Sequence, residues 1–266
     1  MLLVHKALIV GRKDTALVQG TILQLQQQLD ALGISHLREE ELNPSIGKEG
    51  AAIDLVIAVG GDGCFLAASQ WALSFNVPIL GINCGRLGFL GDVLPSKINE
   101  IPHILEAKHI EERAVLEVNQ RYLAVNEMLL AGDYLGLLTM LQVKVNGQVL
   151  CTYQADGLIV ATATGSTGHA LSCGGPILEP TSNQIVLAPV ASHRLNSRPI
   201  VLTALQGLDI ELGDDKQPAC LIVDGRRKAS NLARVHVAMA RQKLKVLHAL
   251  DYNFFNNLRS KLEWEH

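Results

Sequence analysis

The chain has 266 residues, about 1.8 times the ~150 of an average domain, so one large domain or two modest ones are expected. Apolar residues make up 48% and charged residues 18%, which excludes a disordered chain, and a net charge of −3 gives no electrostatic reason to bind nucleic acid or membranes. The five cysteines, Cys64, Cys84, Cys151, Cys173 and Cys220, never form a C-x-x-C pair, and so read as core thiols in a reducing compartment rather than a disulfide framework or a zinc site.

The apolar start is broken at His5 and Lys6, and no run reaches ~18 uninterrupted apolar residues, so a soluble, cytoplasmic protein is expected. Lys6 to Val10, followed by Gly11, reads as a strand. Asp14 then opens an amphipathic helix with Val18, Ile22, Leu25, Leu29 and Leu32 on one face, closed by Gly33. Asp54 to Val59 is a near-continuous apolar run, the pattern of a strand buried on both faces. Gly60-Gly61-Asp62-Gly63 follows it, then a helical stretch from Phe65 to Leu73 and a further strand over Pro78 to Asn83. This alternation through about residue 95 predicts an α/β, Rossmann-like domain with a parallel sheet over residues 1–98.

Beyond residue 110 the period changes to two. Leu141 to Val149 alternates around Asn146-Gly147, a strong hairpin signal. Gly157 to Ala161, Gln184 to Leu187, Leu208 to Leu212, Ala219 to Val223, Arg234 to Met239 and Leu244 to Leu247 are further short strands, so residues 99–251 should form a mostly β domain. The tail regains helical character over Asp251 to Leu262, and residues 252–266, with Tyr252, Phe254 and Phe255, are expected to pack back on the first domain.

Three motifs could carry chemistry. Gly60-Gly61-Asp62-Gly63 sits where a strand gives way to a helix, where backbone N–H groups and the helix dipole favour phosphate. An aspartate there repels an anion, and so suits a base for a hydroxyl, a metal contact, or a simple N-cap in a tight turn. Asn126-Glu127 interrupts an apolar run from Tyr122 to Leu130. The pair offers donors and acceptors to ribose hydroxyls or an adenine edge, or marks a bulge at a strand end. The densest stretch runs from Asp156-Gly157 through Thr164-Gly165-Ser166-Thr167-Gly168-His169 to Gly174-Gly175-Pro176. There a Gly/Ser/Thr loop enters a short helix at Gly168 to Ser172, which suits a nucleotide or a plain Ser/Thr cap; His169 is a ligand contact or a capping side chain. The G-x-x-x-x-G-K-[ST], G-x-G-x-x-G, H-E-x-x-H and G-x-S-x-G patterns are absent, and no set of metal ligands is read.

Together with Gly81-Ile82-Asn83, Gly85-Arg86-Leu87-Gly88-Phe89-Leu90, and His193 with Leu195, Ser197, Arg198 and Pro199, these motifs resemble the NAD kinase family in composition, order and spacing. The resemblance runs from about residue 54 to Leu258–Trp264. Gly-Gly-Asp-Gly alone is shared with diacylglycerol-type lipid kinases and 6-phosphofructokinases; the Asn-Glu pair and the Thr-Gly-Ser-Thr loop make it specific. It implies ATP-dependent phosphorylation of the 2′-hydroxyl of the adenosine ribose of NAD, giving NADP, with Mg²⁺ or another divalent cation carried by the donor phosphates.

The resemblance further implies that Asp62 is the base toward that hydroxyl and that Gly60, Gly61 and Gly63 handle phosphates. Asn126 and Glu127 would hold the adenosine half. Gln154, Asp156 and the segment Thr164, Ser166, Thr167, Gly168, His169, Ala170, Leu171 and Ser172 would hold the rest. NAD and ATP are then the small-molecule partners, and the protein is a homodimer or homotetramer in which a neighbouring subunit completes the site. The alternatives are a lipid or sugar kinase of the same superfamily and a non-catalytic NAD(P)-binding regulator. Four departures from the family pattern bear on affinity and on the preference for NAD or NADH. His169 stands for the usual tyrosine, Gln154 for arginine, Cys64 for threonine, and Arg226 follows Asp224-Gly225 where an uncharged residue is usual. Arg226 is expected to supply the charge that Gln154 lacks, provided the two loops converge.

Overall fold

The computed structural model describes residues 2–11, 15–42, 52–85, 88–132, 139–194, 196–203, 207–213 and 219–264. Asp14, Arg86, Leu87 and Leu195, cited above, lie outside these. The chain divides into two units, Met1–Glu112 with Leu244–His266, and Arg113–Lys243.

The first unit alternates as its apolar runs predict: β1 (Lys6–Val10), α1 (Ala16–Ala31), β2 (Ser35–Arg38), β3 (Leu55–Gly60), α2 (Asp62–Phe75), β4 (Ile79–Asn83), α3 (Ile101–Ala107) and β5 (Ile110–Arg113). Thr15, one residue beyond the expected start, caps α1, its hydroxyl accepting from Val18 N at 3.2 Å. Val18, Ile22, Leu25 and Leu29 are buried; Leu32, the last residue of the expected stripe, is the C-cap and is 38% exposed. Gly33 follows at φ +69°, the left-handed conformation that lets the chain leave the helix. Strands pair in parallel in the order β2-β1-β3-β4. The chain therefore winds one way from β1 to β2 and the other way from β3 to β4. The carboxyl ends of β1 and β3 flank the switch point, where open α/β sheets place ligands.

The second unit holds β6 (Leu116–Val118), β7 (Tyr122–Ala124), β8 (Glu127–Gly132), β9 (Thr139–Val145), β10 (Gln148–Ala155), β11 (Gly157–Thr162), α4 (His169–Ser172), β12 (Gln184–Val190), β13 (Ile200–Thr203), β14 (Leu208–Leu212), β15 (Ala219–Val223), β16 (Arg226–Ala229) and β17 (Arg234–Met239). Two antiparallel sheets result, β10-β9-β14-β17-β6-β7 and β13-β12-β11-β8-β15-β16. The predicted hairpin joins β9 and β10 with Asn146 and Gly147 both at positive φ, the turn that matches strand twist. Both sheets feed one core, with Leu141, Val143, Leu208 and Ile210 from the first and Met128, Leu130, Leu158 and Val160 from the second. Ile159 and Ala161, on the other face of β11, join a second cluster with Ala170, Leu178 and Val186. Burial on both faces is why β11 reads as an unbroken apolar run.

Two sequence expectations are corrected. Leu244–Leu247 is not part of the β domain: as β18 it pairs in parallel with β4 and extends the first sheet to β2-β1-β3-β4-β18-β5. A short amphipathic run carries no mark of the sheet it will join. The unit boundaries accordingly fall at 112 and 244 rather than 98 and 251. The tail belongs to the first unit, with α5 (Phe254–Leu262) following β18 there. Tyr252 stacks on the buried His248 at 3.6 Å, whereas Phe255 is 57% exposed. Among the described residues no helix is long and apolar enough to cross a membrane.

Candidate functional site

In the first unit the glycine loop forms at the switch point. β3 ends at Gly60, at φ +156°, where a side chain would press on Cys64 Cβ at 2.8 Å. The Cys64 thiol reaches back to the carbonyls of Val10 and Val59, both at 3.5 Å, and so ties together the ends of β1 and β3. Gly61 is the N-cap of α2, and Asp62 lies in the first turn, where N–H groups lack partners within the helix. A side chain at Gly61 or Gly63 would meet open space among the described residues, while Gly85 approaches the Gly61 backbone from one side.

Asp62 does not cap its own helix. Its carboxylate accepts from Phe89 N at 2.9 Å and from Leu90 N at 3.2 Å. Gly88 has to be glycine there, since a Cβ would overlap the Asp62 carboxylate. An ionised carboxylate has about four acceptor positions, so two remain after these bonds.

In the second unit a buried aspartate organises the Asn-Glu pair. Asp224, at φ +47° in the turn between β15 and β16, accepts from Val125 N at 2.9 Å, Asn126 N at 2.8 Å and Glu127 N at 3.2 Å. Its own N–H donates to the Glu127 carbonyl at 3.0 Å. The Thr162 hydroxyl donates to the Val125 carbonyl at 2.6 Å and accepts from Gly165 N at 3.0 Å, which draws the Thr164–Gly168 loop onto the same strand. Gly165 lies so close that a Cβ would overlap the Asn126 backbone, and one at Gly168 would stand 3.3 Å from Glu127 Oε2.

Asn126 Oδ1, Glu127 Oε2 and Thr164 Oγ1 are all buried and without hydrogen-bond partners. Burial, reinforced by the neighbouring Asp224 charge, pushes the Glu127 carboxyl up to about 7. Burial also raises Asp224, against the pull of its three backbone N–H groups and of Lys228. Unsatisfied buried oxygens are costly and rare, and three at the bend that opens β8 and on the loop packed against it mark a place for a polar occupant.

The other expected site residues divide. Ser166 and Thr167 spend their hydroxyls locally: Ser166 Oγ donates to Ala163 O at 2.7 Å and accepts from Leu178 N at 2.9 Å, while Thr167 Oγ1 donates to Thr164 O at 3.2 Å. Ala170 is buried in the cluster beneath β11, Leu171 is half-buried, and Ser172 and His169 are exposed. The short helix is a single turn, so it brings no macrodipole of note. Gln154 and Asp156 stand elsewhere. β11 pairs Ala161 with Glu127 but Gly157 with Ala131, so six residues of strand, roughly 20 Å, separate Asp156 from the Asn-Glu pair.

The Gln154 carbonyl accepts from His193 N at 3.1 Å and from Ser192 Oγ at 3.3 Å, gathering these residues at the far end. Arg226, exposed on the edge strand β16, pairs with Val223, which pairs with Met128, and so lies at the Glu127 end. Within one chain Arg226 and Gln154 therefore do not converge. Sequence reading missed Asp224 and Thr162; an Asp-Gly pair after an apolar strand signals a turn and says nothing of partners about 98 residues away.

Models of the ATP-NAD kinase N-terminal domain and the ATP-NAD kinase C-terminal domain match residues 18–110 and 125–249. The NAD kinase of Francisella tularensis subsp. tularensis (strain WY96-3418) is 36% identical over 293 aligned positions, covering 98% of this chain and 97% of that protein. That of Legionella pneumophila (strain Paris) is 39% identical over 231 positions, covering 82% and 78%. Among solved structures, an NAD kinase from Archaeoglobus fulgidus in complex with ATP superposes with a TM-score of 0.82 at 24% identity, covering 98% of this chain and all of that one. Yeast NADH kinase complexed with NADH gives 0.83 at 20% identity, covering 98% and 88%. At those identities the superpositions speak for the fold, and the family models with the sequence relatives settle the rest: the chain belongs to the NAD kinase family, whose members are kinases that phosphorylate NAD.

Proposed function

We propose that the chain transfers the γ-phosphoryl group of ATP to the 2′-hydroxyl of the adenosine ribose of NAD, giving NADP. The observation that carries this reading is the trio of buried, partnerless oxygens on Asn126, Glu127 and Thr164, a polar cradle suited to the adenosine half of the dinucleotide. The open Gly60–Gly63 loop at the switch point suits phosphates.

Asp62 is the base in this proposal. Two backbone N–H groups fix its carboxylate and leave lone pairs for a hydroxyl proton, which moves to Asp62 as the ribose oxygen bonds to the γ-phosphorus and the bond to the bridging oxygen breaks, releasing ADP. A divalent cation would be carried into the site by the ATP phosphates. Bound with those phosphates, Mg²⁺ would neutralise charge on the transferring group.

Gln154 and Asp156 stand about a strand length from the Asn-Glu pair, which favours a homodimer or homotetramer in which the far end of one subunit completes the site of another. His169 and Arg226, both exposed, would then be dinucleotide contacts. All five cysteines are thiols, which fits the cytoplasm. The test is to incubate the purified chain with ATP and Mg²⁺ and with NAD, a diacylglycerol or fructose 6-phosphate in turn. Phosphorylation of NAD alone supports the reading, and phosphorylation of either of the others replaces it.

A further inference from the structure

We infer that Asp224 is a positioning residue, one that sets Glu127 to meet the adenosine half of its ligand as a hydrogen-bond donor rather than an acceptor. The inference rests on the proposed dinucleotide site. Its starting point is geometry. Asp224 binds three successive N–H groups, of Val125, Asn126 and Glu127, and so carries its negative charge against the backbone of the residue whose side chain it influences. A backbone clamp needs only an acceptor, but a carboxylate brings a full charge.

Among the described residues no cation offsets the charge of Glu127. Besides Asp224, the charged or titratable groups of the elements packed around it are Lys228, which acts on Asp224, with the exposed Arg226 and Arg227 on β16, Cys220 on β15, Glu117 on β6, Tyr122 on β7 and the exposed His169. The loop from Thr164 to Gly168 contributes only glycines and hydroxyl-bearing residues, and Glu127 Oε2 faces the space that Gly168 leaves open. An ionised, partnerless carboxylate beside a second one is unfavourable, and a proton removes the conflict. That direction agrees with the raised titration of Glu127.

A protonated Glu127 offers an O–H where an ionised one would offer only acceptors, and it stands in sequence beside Asn126, whose unpartnered Oδ1 supplies an acceptor. Ionising Glu127 replaces the donor with a charge, and binding weakens as pH rises.

The test is carboxyl ¹³C NMR of the full chain labelled at glutamate, titrated from pH 4 to 9, with Glu127→Gln assigning the resonance. The expected midpoint is about 7 in the parent. It should fall by about one pH unit or more in Asp224→Asn, where Asn tolerates the left-handed backbone and keeps an acceptor. KM for NAD should rise about tenfold per pH unit above the midpoint in the parent, break at lower pH in Asp224→Asn, and lose the break in Glu127→Gln.

A parent midpoint in the usual carboxylate range, or one that Asp224→Asn leaves in place, overturns the inference. Should Asp224→Asn fail to fold, Asp224→Gly, which suits the left-handed backbone at that position, removes the same charge, and the Glu127 midpoint must again fall. A chain that forms no NADP while Glu127 still titrates near 7 would count against the proposed reaction and leave the coupling of the two carboxyls standing.

Discussion

Replacing Asp62 with asparagine separates anchoring from catalysis, because the structure assigns the carboxylate two duties of different size. As an anchor it accepts from Phe89 N and Leu90 N at 2.9 and 3.2 Å, one on each oxygen. Asparagine keeps one acceptor and turns its NH₂ group toward the other N–H, so one charge-assisted bond is lost. Partial exposure lets water take some of the loss, which leaves about 1–3 kcal/mol. For a protein of this size that lowers Tm by about 2–10 °C. With ordinary stability of ~5–15 kcal/mol, nearly all of the variant stays folded at 25 °C, so unfolding cannot remove more than a few per cent of the activity.

Losing the base acts on another scale: kcat should fall by about 10²–10⁴, with a smaller change in KM because the glycine loop and the Asn-Glu pair are untouched. Thermal unfolding measured beside steady-state kinetics with NAD and ATP reads both quantities from one preparation. A variant with lowered Tm and kcat within threefold of the parent would make Asp62 an anchor alone. An unchanged Tm would show that the two backbone bonds contribute nothing.

Gly165→Ala forces a methyl into the Asn126 backbone, and neither side can yield without moving the site. It should cost about 1–3 kcal/mol by thermal unfolding and raise KM for NAD, with a parent-like KM contradicting the placement of the loop. Ser166→Ala leaves the buried Leu178 N–H without its acceptor and should lower stability by about 1–3 kcal/mol with KM little changed, as its hydroxyl is already engaged; a selective loss of NAD affinity would instead make it a ligand contact. Glu127→Gln changes the pH dependence of stability. The folded Glu127 carboxyl is raised to about 7 from its ordinary 4.5, so between these values the folded state holds the proton more tightly and stability declines as pH rises. Denaturant unfolding should show the parent losing roughly 2–3 kcal/mol relative to Glu127→Gln between pH 5 and pH 8, and parallel curves would refute the assignment.

Much of the fold is legible because burial on both faces leaves a mark in the sequence. β1, β3 and β4 are apolar runs, and Asn146-Gly147 sets its hairpin by local backbone preference. β18 is the counterexample: four residues with one polar interruption look alike whether they close a sandwich or extend a parallel sheet, and only contact with β4 decides. The site follows the same division. Gly60 to Gly63 and Asn126-Glu127 stand out as residue types at odds with their surroundings. What holds them does not, since Phe89 and Leu90 act through their backbone N–H groups, Asp224 acts on backbone N–H groups, and all three work across long separations. Ser166 shows the converse, a hydroxyl in a promising loop whose partners are the loop's own carbonyl and a nearby amide. Asp156 is adjacent in motif and distant in space, because a strand six residues long lies between it and Thr164.

The central claim is that phosphate from ATP arrives on the 2′-oxygen of NAD, and ³¹P NMR of the reaction observes that bond directly. With the chain, Mg²⁺, ATP and NAD, a monoester resonance matching authentic NADP should grow in step with ADP, and should be absent when Asp62→Asn replaces the parent over the same interval. ADP and free phosphate without that resonance, or a monoester that does not coincide with NADP, would contradict the account.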